Sequence, residues 1–420
     1  MKVVLVHGKY FNSWEALGLG YIAAYVKRHE PSVDFTYFQG SFDEPETIID
    51  ACRSADILAL SCTTPTAEWS TDLARRCKVA NPALWVVVGG YHASALGVGA
   101  VAPPVDQVVV GEGETALLQI VRGNRRPVVR GLPMQFSGLP WPDRALIRNE
   151  RNIGVAASEN GGQRMTSFQS HRGCPFRCLF CGDGACKVLG RSSVRLRNVH
   201  DLLNEIACVT EDYDLDYFKF CDSTWNSNAA WVMEFCEEKI RRKLWLPYFA
   251  NLHASIVTKD MVEWMAMSGC QDVAFGIESG SDRVLASSGK GITTDQVRRA
   301  VGLAKGVGLK VRGYFLLGMP GETEADREAT EQLAEELDLD IYGFTILCPY
   351  PGSLPYQQNP QEYAGVDWEK ADEYSNDFWR TDAVSNARLR EWQDKLTSKF
   401  AGRLAQRQPT RETVKELGLD

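Results

Sequence analysis

The most chemically distinctive segment of the sequence is His171-Arg-Gly-Cys174-Pro-Phe-Arg-Cys178-Leu-Phe-Cys181-Gly, in which three thiols fall within eight residues. Thiolates are soft ligands that suit zinc or iron–sulfur clusters. A closed zinc site needs four ligands, and Cys186 is an available fourth. Three cysteines on one tight loop instead suit three irons of a four-iron cluster, with the last iron open to a ligand. The spacing therefore indicates a metal centre, and both alternatives stay open at this point.

Four further side chains with useful chemistry fall at or just after predicted strands. They are His171, Asn251, His253 and Cys348. The carboxyl ends of parallel strands meet at one edge of a sheet, where ligands bind. We therefore take these four as candidates for substrate contact or acid–base catalysis.

Two series of alternating strands and helices position these residues. In residues 1–125 the predicted strands are Val3–Val6, Ile57–Leu60, Trp85–Val88 and Val108–Val110. Apolar, β-branched runs separated by helical patterns indicate a parallel sheet, so we predict a Rossmann-like domain. Its rim of strand-end loops would be His7–Trp14, Ser61–Thr66, Gly89–Ser94 and Gly111–Thr115.

Residues 126–164 are rich in proline and glycine, and we expect a linker with at most a short strand. A second series spans residues 165–360. Its predicted strands are Thr166–Ser170, Tyr217–Cys221, Tyr248–Ala250, Asp272–Ile277, Lys310–Leu317 and Tyr342–Leu347. Six βα units fit a partial (β/α)6 barrel better than a flat sheet. We expect residues 361–420 to form a helical C-terminal region. The predicted fold class is therefore α/β throughout.

Composition excludes several classes of protein. The chain has 420 residues, of which 44% are hydrophobic and 24% charged, as in folded enzymes and unlike disordered chains. No apolar run reaches the roughly 18 residues of a membrane helix, and MKVVLVH reads as a buried strand rather than a signal peptide. The net charge of −8 argues against a nucleic-acid partner. We expect a cytoplasmic protein without a membrane or nucleic-acid partner.

The motifs together resemble the radical S-adenosylmethionine (radical SAM) superfamily. Beyond the Cys-x3-Cys-x2-Cys loop, the matching segments are Phe275-Gly-Ile-Glu278-Ser279-Gly-Ser281, Leu317-Gly-Met-Pro-Gly-Glu322-Thr323 and Cys348-Pro-Tyr-Pro-Gly. Their order is that of the subgroup in which a cobalamin-binding-type domain precedes the barrel. Leu17-Gly-Leu-Gly-Tyr21, Gly89-Gly-Tyr-His92-Ala and Gly111-Glu-Gly-Glu114-Thr115 resemble segments of that first domain. The resemblance covers roughly residues 1–360.

The resemblance implies a role for each matching residue. Cys174, Cys178 and Cys181 would hold a [4Fe-4S] cluster whose fourth iron binds S-adenosylmethionine, the source of a 5′-deoxyadenosyl radical. Asp222 and Ser223 would bind its ammonium group, Glu278 and Ser279 its ribose hydroxyls or amino group, and Arg312 its carboxylate. Phe180, Leu347 and Pro349 would surround the adenine.

The reaction is less constrained than the initiation step. The subgroup suggests cobalamin-dependent methylation of an unactivated carbon, but no Asp-x-His-x-x-Gly supplies a lower cobalt ligand and the first rim loop is bulky. We therefore prefer a cobalamin-free relic domain and radical dehydration of a diol, similar to the diol dehydratase of aminoglycoside biosynthesis. Methylation is the alternative, and a non-catalytic cobalamin or cluster sensor is a third interpretation. An aminosugar substrate, a flavodoxin- or ferredoxin-type electron donor and a nicotinamide-dependent reductase are the expected partners.

Overall fold

Two six-stranded parallel sheets form the framework of the structure, a computed structural model that describes residues 1–10, 14–182 and 194–403. The strands of the first sheet are β1 Lys2–His7, β2 Asp34–Gln39, β3 Ile57–Ser61, β4 Trp85–Gly89, β5 Gln107–Val110 and β6 Val128–Arg130. Its helices are α1 Leu17–His29, α2 Pro45–Cys52, α3 Ala67–Ala80, α4 Tyr91–Leu96 and α5 Gly113–Val121. The strand order is β2-β1-β3-β4-β5-β6, which places helices on both faces.

Alternate residues of the first sheet build two cores. Val3 and Leu5 pack on one face against α1 and α5, whereas Val4 and Val6 pack on the other against α2 and α3. Both sets are almost fully buried. A strand covered on both faces reads as a continuous apolar run, which is why β1, β3, β4 and β5 were recognisable in the sequence.

The second sheet is an open half-barrel, as expected from the sequence. Its strands are β7 Met165–Phe168, β10 Tyr217–Phe220, β11 Tyr248–Leu252, β12 Cys270–Glu278, β13 Lys310–Leu317 and β14 Ile341–Ile346, paired in chain order. A short antiparallel pair, β8 His171–Arg172 and β9 Arg195–Leu196, lies between β7 and β10 in the chain. The barrel helices are α7 Val199–Tyr213, α8 Ala229–Arg241, α9 Lys259–Met267, α10 Asp282–Ser287, α11 Thr294–Gly306 and α12 Glu324–Leu337. β7 and β14 form the two edges and do not pair with each other in the described sheet.

Residues 126–164 hold more structure than the sequence indicated. β6 completes the first sheet, and helix α6 Asn149–Glu159 leads into β7. The expectation of at most a short strand was wrong for this helix. The buried residues of this helix are Asn149, Asn152, Ile153 and Val155. Because two of these four are polar, the apolar periodicity that usually marks a helix is weak.

The C-terminal region returns to both sheets. After α13 Leu354–Gln358, residues 359–385 run mostly in turns, and α14 Asn386–Lys399 packs against β14. The turn Trp368–Lys370 contacts α3 of the first sheet. This segment therefore covers one side of the space between the two sheets. In the described ranges, no helix has the length and apolar content needed to cross a membrane.

Candidate active site

The loop of three cysteines is held from several sides. The thiols are half-buried and follow β8 directly. The Leu179 amide donates to the Ser288 carbonyl at 2.8 Å, and the Leu179 carbonyl accepts from the Leu354 amide at 2.9 Å. The ring of Phe176 stacks on His253 with centroids 3.4 Å apart. Segments that follow β11, β12 and β14 thus fix the conformation of the loop.

The arrangement of the cysteines does not match a single-ion site. In the part of the chain that the structure describes, no three His, Cys, Asp or Glu side chains converge as ligands of one metal ion do. Cys186, the fourth ligand of the zinc alternative, lies outside the described residues. The Cys174 thiol lies 3.3 Å from the Thr224 hydroxyl, and burial raises the pKa of Cys178 to about 11. Three half-buried thiols on one loop fit a cluster in which each thiolate binds a different iron.

Asp222 has a positioning role that the sequence did not indicate. Its carboxylate accepts from the backbone amides of Ser170 and His171 at 3.1 and 2.7 Å and from the Ser170 hydroxyl at 2.7 Å. Burial raises its pKa to about 7. The carboxylate expected to bind an ammonium group is therefore committed to the backbone that precedes the cysteine loop. Ser223 is exposed and lines the adjacent cavity.

His171 lies within the same network. Its Nδ1 is 2.5 Å from the Ser170 hydroxyl oxygen, and its ring packs edge-on against Trp231 at 4.7 Å. Its Nε2 has no hydrogen-bond partner among the described residues. Burial lowers the pKa of His171 to about 4, so the imidazole is neutral at pH 7.

The other three catalytic candidates occupy different environments. Asn251 lines the cavity and donates to the Asp222 carbonyl at 3.3 Å. Cys348 also lines the cavity, is 3% exposed, and has a pKa raised by burial. His253 does not line the cavity. Its ring stacks on Phe176 of the cysteine loop, and its Nδ1 lies 2.8 Å from the Ser255 hydroxyl oxygen. Burial lowers the pKa of His253 to about 3, which keeps it neutral.

The end of β12 presents an ion pair to the cavity. Glu278 has a positive φ of 66° and pairs with Lys290. A Cβ at Gly276 would approach both charged groups to 2.4 Å, so this glycine makes room for the pair. Ser279 is fully buried and 3.2 Å from the Thr330 hydroxyl, so it does not reach the cavity. Glu278 keeps its expected position, whereas the expected ligand contact of Ser279 is not supported.

Arg312 lies deeper in the barrel than a strand-end role requires. It is in register with Ala274, four residues before Glu278, or about 13 Å along the strand. Its guanidinium pairs with Asp272 at 3.3 Å and lies over the Phe249 ring. Arg312 is the third of the eight residues of β13, so binding of the carboxylate of S-adenosylmethionine at the mouth is not supported for this residue.

One cavity of about 1880 Å³ extends from the carboxyl-end edge of the first sheet into the barrel, as far as Asp272 and Arg312 near the starts of β12 and β13. Pockets for one small ligand usually measure roughly 300–1,000 Å³, so this one has room for more than one. The predicted residues that line it are His171, Phe180, Asp222, Ser223, Asn251, Glu278, Arg312, Leu347 and Cys348. Pro349 lies outside the lining, and the cysteine loop reaches the cavity through Gly173 and Phe180.

The edge of the first sheet contributes several small residues to the cavity, beside larger ones such as Leu5, Val87 and Val109. The small residues, here called the floor, are Ala59 and Ser61 in β3, Gly89 at the end of β4 and Gly111 after β5. At Gly90, where φ is +98°, a Cβ would come within 2.5 Å of the Cys62 carbonyl oxygen. The small side chains at these positions leave room for a large planar ligand of the corrin type.

Arg172, which the sequence did not single out, joins the two sheets. Its guanidinium donates to Glu112 at 3.0 Å and to Glu114 at 2.7 Å, and Arg195 also pairs with Glu112. The Arg172 side chain is 10% exposed and lies over the rings of Tyr21 and Phe136. The Gly111–Thr115 motif therefore binds the base of the cysteine loop.

Comparison with known proteins agrees with this architecture. Residues 168–334 match the radical SAM superfamily, and residues 3–121 match the B12 binding domain. An uncharacterized methyltransferase of Pyrococcus horikoshii is 30% identical over 80% of this chain and 76% of its own length. The anaerobic magnesium-protoporphyrin IX monomethyl ester cyclase of Rubrivivax gelatinosus is 24% identical over 93% of this chain and 75% of its own length.

Solved structures have the same fold. The radical SAM methyltransferase TsrM from Kitasatospora setae, with cobalamin and a [4Fe-4S] cluster bound, superposes with a TM-score of 0.75 at 16% identity, over 97% of this chain and 93% of that one. The cobalamin-dependent radical enzyme OxsB superposes with a TM-score of 0.66 at 16% identity, over 95% of this chain and 61% of that one. The chain belongs to the radical SAM superfamily, among the enzymes in which a B12 binding domain precedes the radical SAM domain, with a [4Fe-4S] cluster and S-adenosylmethionine as cofactors.

Proposed function

We propose that the protein is a cobalamin-dependent radical SAM methyltransferase acting on a small molecule. The observation that carries the proposal is a cavity lined both by the edge of the first sheet and by the barrel. Small residues of the first sheet, suited to a corrin ring, line one part of it, and Gly173 and Phe180 of the cysteine loop line another. When bound, the cluster supplies the electron that cleaves S-adenosylmethionine, and the corrinoid supplies the methyl group.

The residues of this chain position and shield these groups. Cys174, Cys178 and Cys181 would hold the cluster, and Arg172 ties their loop to the first sheet. Asp222 fixes the backbone just before the loop. These contacts hold the two sheet edges in a fixed relation around the cavity, which is the requirement for bringing two large cofactors to one substrate.

The relatives favour methylation over the dehydration that we preferred from the sequence. The names of the Pyrococcus horikoshii relative and of TsrM both describe methyltransferases. The absence of Asp-x-His-x-x-Gly does not weigh against cobalamin here, because the small-residue floor supplies the surface that the corrin ring needs. Either reaction requires a one-electron donor, and we propose a flavodoxin- or ferredoxin-type protein.

The test uses full-length, cluster-reconstituted protein with hydroxocobalamin under anaerobic conditions. We expect corrinoid absorption to survive gel filtration and S-adenosylhomocysteine to form together with 5′-deoxyadenosine on reduction. Cluster absorption with 5′-deoxyadenosine as the only adenosyl product, and no retained corrinoid, would refute the proposal and favour dehydration.

A matched pair of glycine variants separates corrinoid binding from folding. Gly18 lies in α1 and lines the cavity, and a Cβ there meets no atom within 4 Å. Gly18→Phe should therefore project a ring into the cavity and abolish corrinoid retention. Gly302→Phe places the same ring on the exposed side of α11, where a Cβ is equally unobstructed, and should retain corrinoid. Equal retention by both variants would contradict binding of the corrinoid in the part of the cavity that α1 lines.

A further inference from the structure

The C-terminal segment contributes a wall of the cavity beside the cysteine loop. Tyr350, Glu373 and Tyr374 line this wall. The Glu373 carbonyl accepts from the Ile346 amide at 2.8 Å, which holds the segment along the end of β14. The ring of Tyr350 packs on Gly182, the residue after Cys181, where a Cβ would lie 2.9 Å from the Tyr350 Cβ. The wall is therefore next to the predicted cluster.

Most carboxylates that line the cavity have a cation of the protein nearby. Direct ion pairs are Arg172 with Glu112 and Glu114, Lys290 with Glu278, and Arg312 with Asp272. At longer range, the charge of Lys219 acts to lower the pKa of Glu15 and Glu159. The charge of Arg197 acts in the same way on the pKa of Asp222. Each of these acidic groups therefore has a positive charge of the protein in its electrostatic environment.

Glu373 differs from this pattern. Burial raises its pKa, the Tyr350 hydroxyl bonds to its carboxylate, and Asp372 adds a second negative charge. In the described ranges, no Lys, Arg or His is among the groups that shift the pKa of Glu373. The neighbouring Cys348 and Tyr350 also have pKa values raised by burial and by acidic groups, with no cation among their causes. Glu373 is half-buried and lines the cavity. A carboxylate that is largely removed from water without a counter-charge is costly unless a ligand supplies one.

We propose that Glu373 binds the ammonium group of an amine-bearing substrate, with Tyr350 orienting the carboxylate. This inference rests on the proposed function, since it specifies the substrate class of the same cavity. A charge-assisted hydrogen bond to a carboxylate gives both affinity and orientation. The aromatic faces of Tyr350 and Tyr374 add a surface suited to a cation. The substrate would thus be held beside the cysteine loop by a group that the first sheet does not contribute.

The test measures binding without reductant, so it does not depend on turnover or methyl transfer. The probes are glucosamine, tyramine and putrescine, each paired with its N-acetyl derivative, titrated into full-length reconstituted protein saturated with S-adenosylmethionine. At least one amine should bind, and its N-acetyl derivative should bind more weakly. Glu373→Gln should weaken binding of the amine by about 10- to 100-fold. Glu369→Gln removes an exposed charge from the same segment and should change nothing.

Three results would overturn the proposal. The first is that no amine binds the wild-type protein, or that an amine and its N-acetyl derivative bind equally. The second is that Glu373→Gln keeps wild-type affinity for the amine. The third is that Glu373→Gln weakens binding of S-adenosylmethionine itself, which would mean that the carboxyl binds the cofactor and not the substrate. Cluster absorbance and the thermal midpoint check that the variant is folded, and Tyr350→Phe, which keeps the charge, should lose much less affinity.

Discussion

Replacing Arg172 by methionine should destabilise the protein strongly, because it leaves a buried carboxylate alone. Arg172 is 10% exposed and Glu114 only 3%. Glu112 would keep Arg195, but Glu114 has no other ion pair in the described structure. Removal of one partner of a buried pair usually costs about 3–5 kcal/mol. We expect a loss of that size in the free energy of unfolding.

Urea unfolding of the full-length apo-protein at pH 7 measures this loss. The Arg172→Met and Glu114→Gln variants and their combination form a double-mutant cycle, in which the combined variant should cost less than the sum of the single ones. Arg298→Met is the control. Its pair with Glu336 is also bidentate, at 2.7 and 3.0 Å, but Arg298 is 39% exposed. That variant should lose no more than about 1 kcal/mol.

A loss for Arg172→Met as small as that of the control would refute the reasoning. Additive costs in the cycle would also refute it, since they would mean that Arg172 and Glu114 do not stabilise each other. If the pair does fix the relation of the sheets, Arg172→Met should also lower formation of 5′-deoxyadenosine in protein that still contains its cluster.

Three other substitutions test the interior of the barrel. Gly276→Ala should cost about 1 kcal/mol in urea unfolding, because the new methyl group displaces the ends of the Glu278 and Lys290 side chains, which are flexible, from their ion pair; a stabilising effect would contradict the close approach. Asp222 has a pKa raised to about 7, so its protonated carboxyl stabilises the folded protein. That contribution to the free energy of unfolding is complete below about pH 4 and is lost as the pH rises through 7. The stability of the wild type relative to Asp222→Asn should fall across that range, and a constant difference would argue against the raised pKa. Lys239→Met should cost about 3 kcal/mol or more in thermal or urea unfolding, since the buried ammonium donates to three carbonyl oxygens at 2.6–2.8 Å; a loss below about 1 kcal/mol would refute this.

Most of the first sheet was predictable because its strands are covered on both faces and read as apolar runs. The barrel strands pack on helices with one face and line the cavity with the other, and the strand-end motifs that follow them made them recognisable. β2 was missed: DFTYFQ lies at the sheet edge, and its polar residues Asp34, Thr36 and Gln39 interrupt the apolar run that marks the central strands. The sequence therefore reports the interior of a parallel sheet better than its edges.

The site was predictable only where its residues are close in the chain. The cysteine loop and the end of β12 were recognised from local motifs, whereas Lys290 and Glu373 were not. Lys290 reaches Glu278 from beyond α10, and Glu373 reaches the cavity from a segment of turns. Arg172 was within the recognised loop, but its partners Glu112 and Glu114 lie 60 and 58 residues earlier in the chain. Chain positions this distant carry no local signal of contact.

The way in which the sheets are joined follows from the need for a cavity between them. An apolar core on both edges would close the space that the ligands require, so the contacts are displaced to its border. There, Arg172 binds Glu112 and Glu114, and the Glu15 carboxylate accepts from the Ser167 amide at 2.9 Å. Buried ion pairs add little net stability compared with apolar contacts, but they demand a particular geometry. In this chain they therefore set the distance and orientation of two ligand-binding edges, and leave the space between them to the cofactors and the substrate.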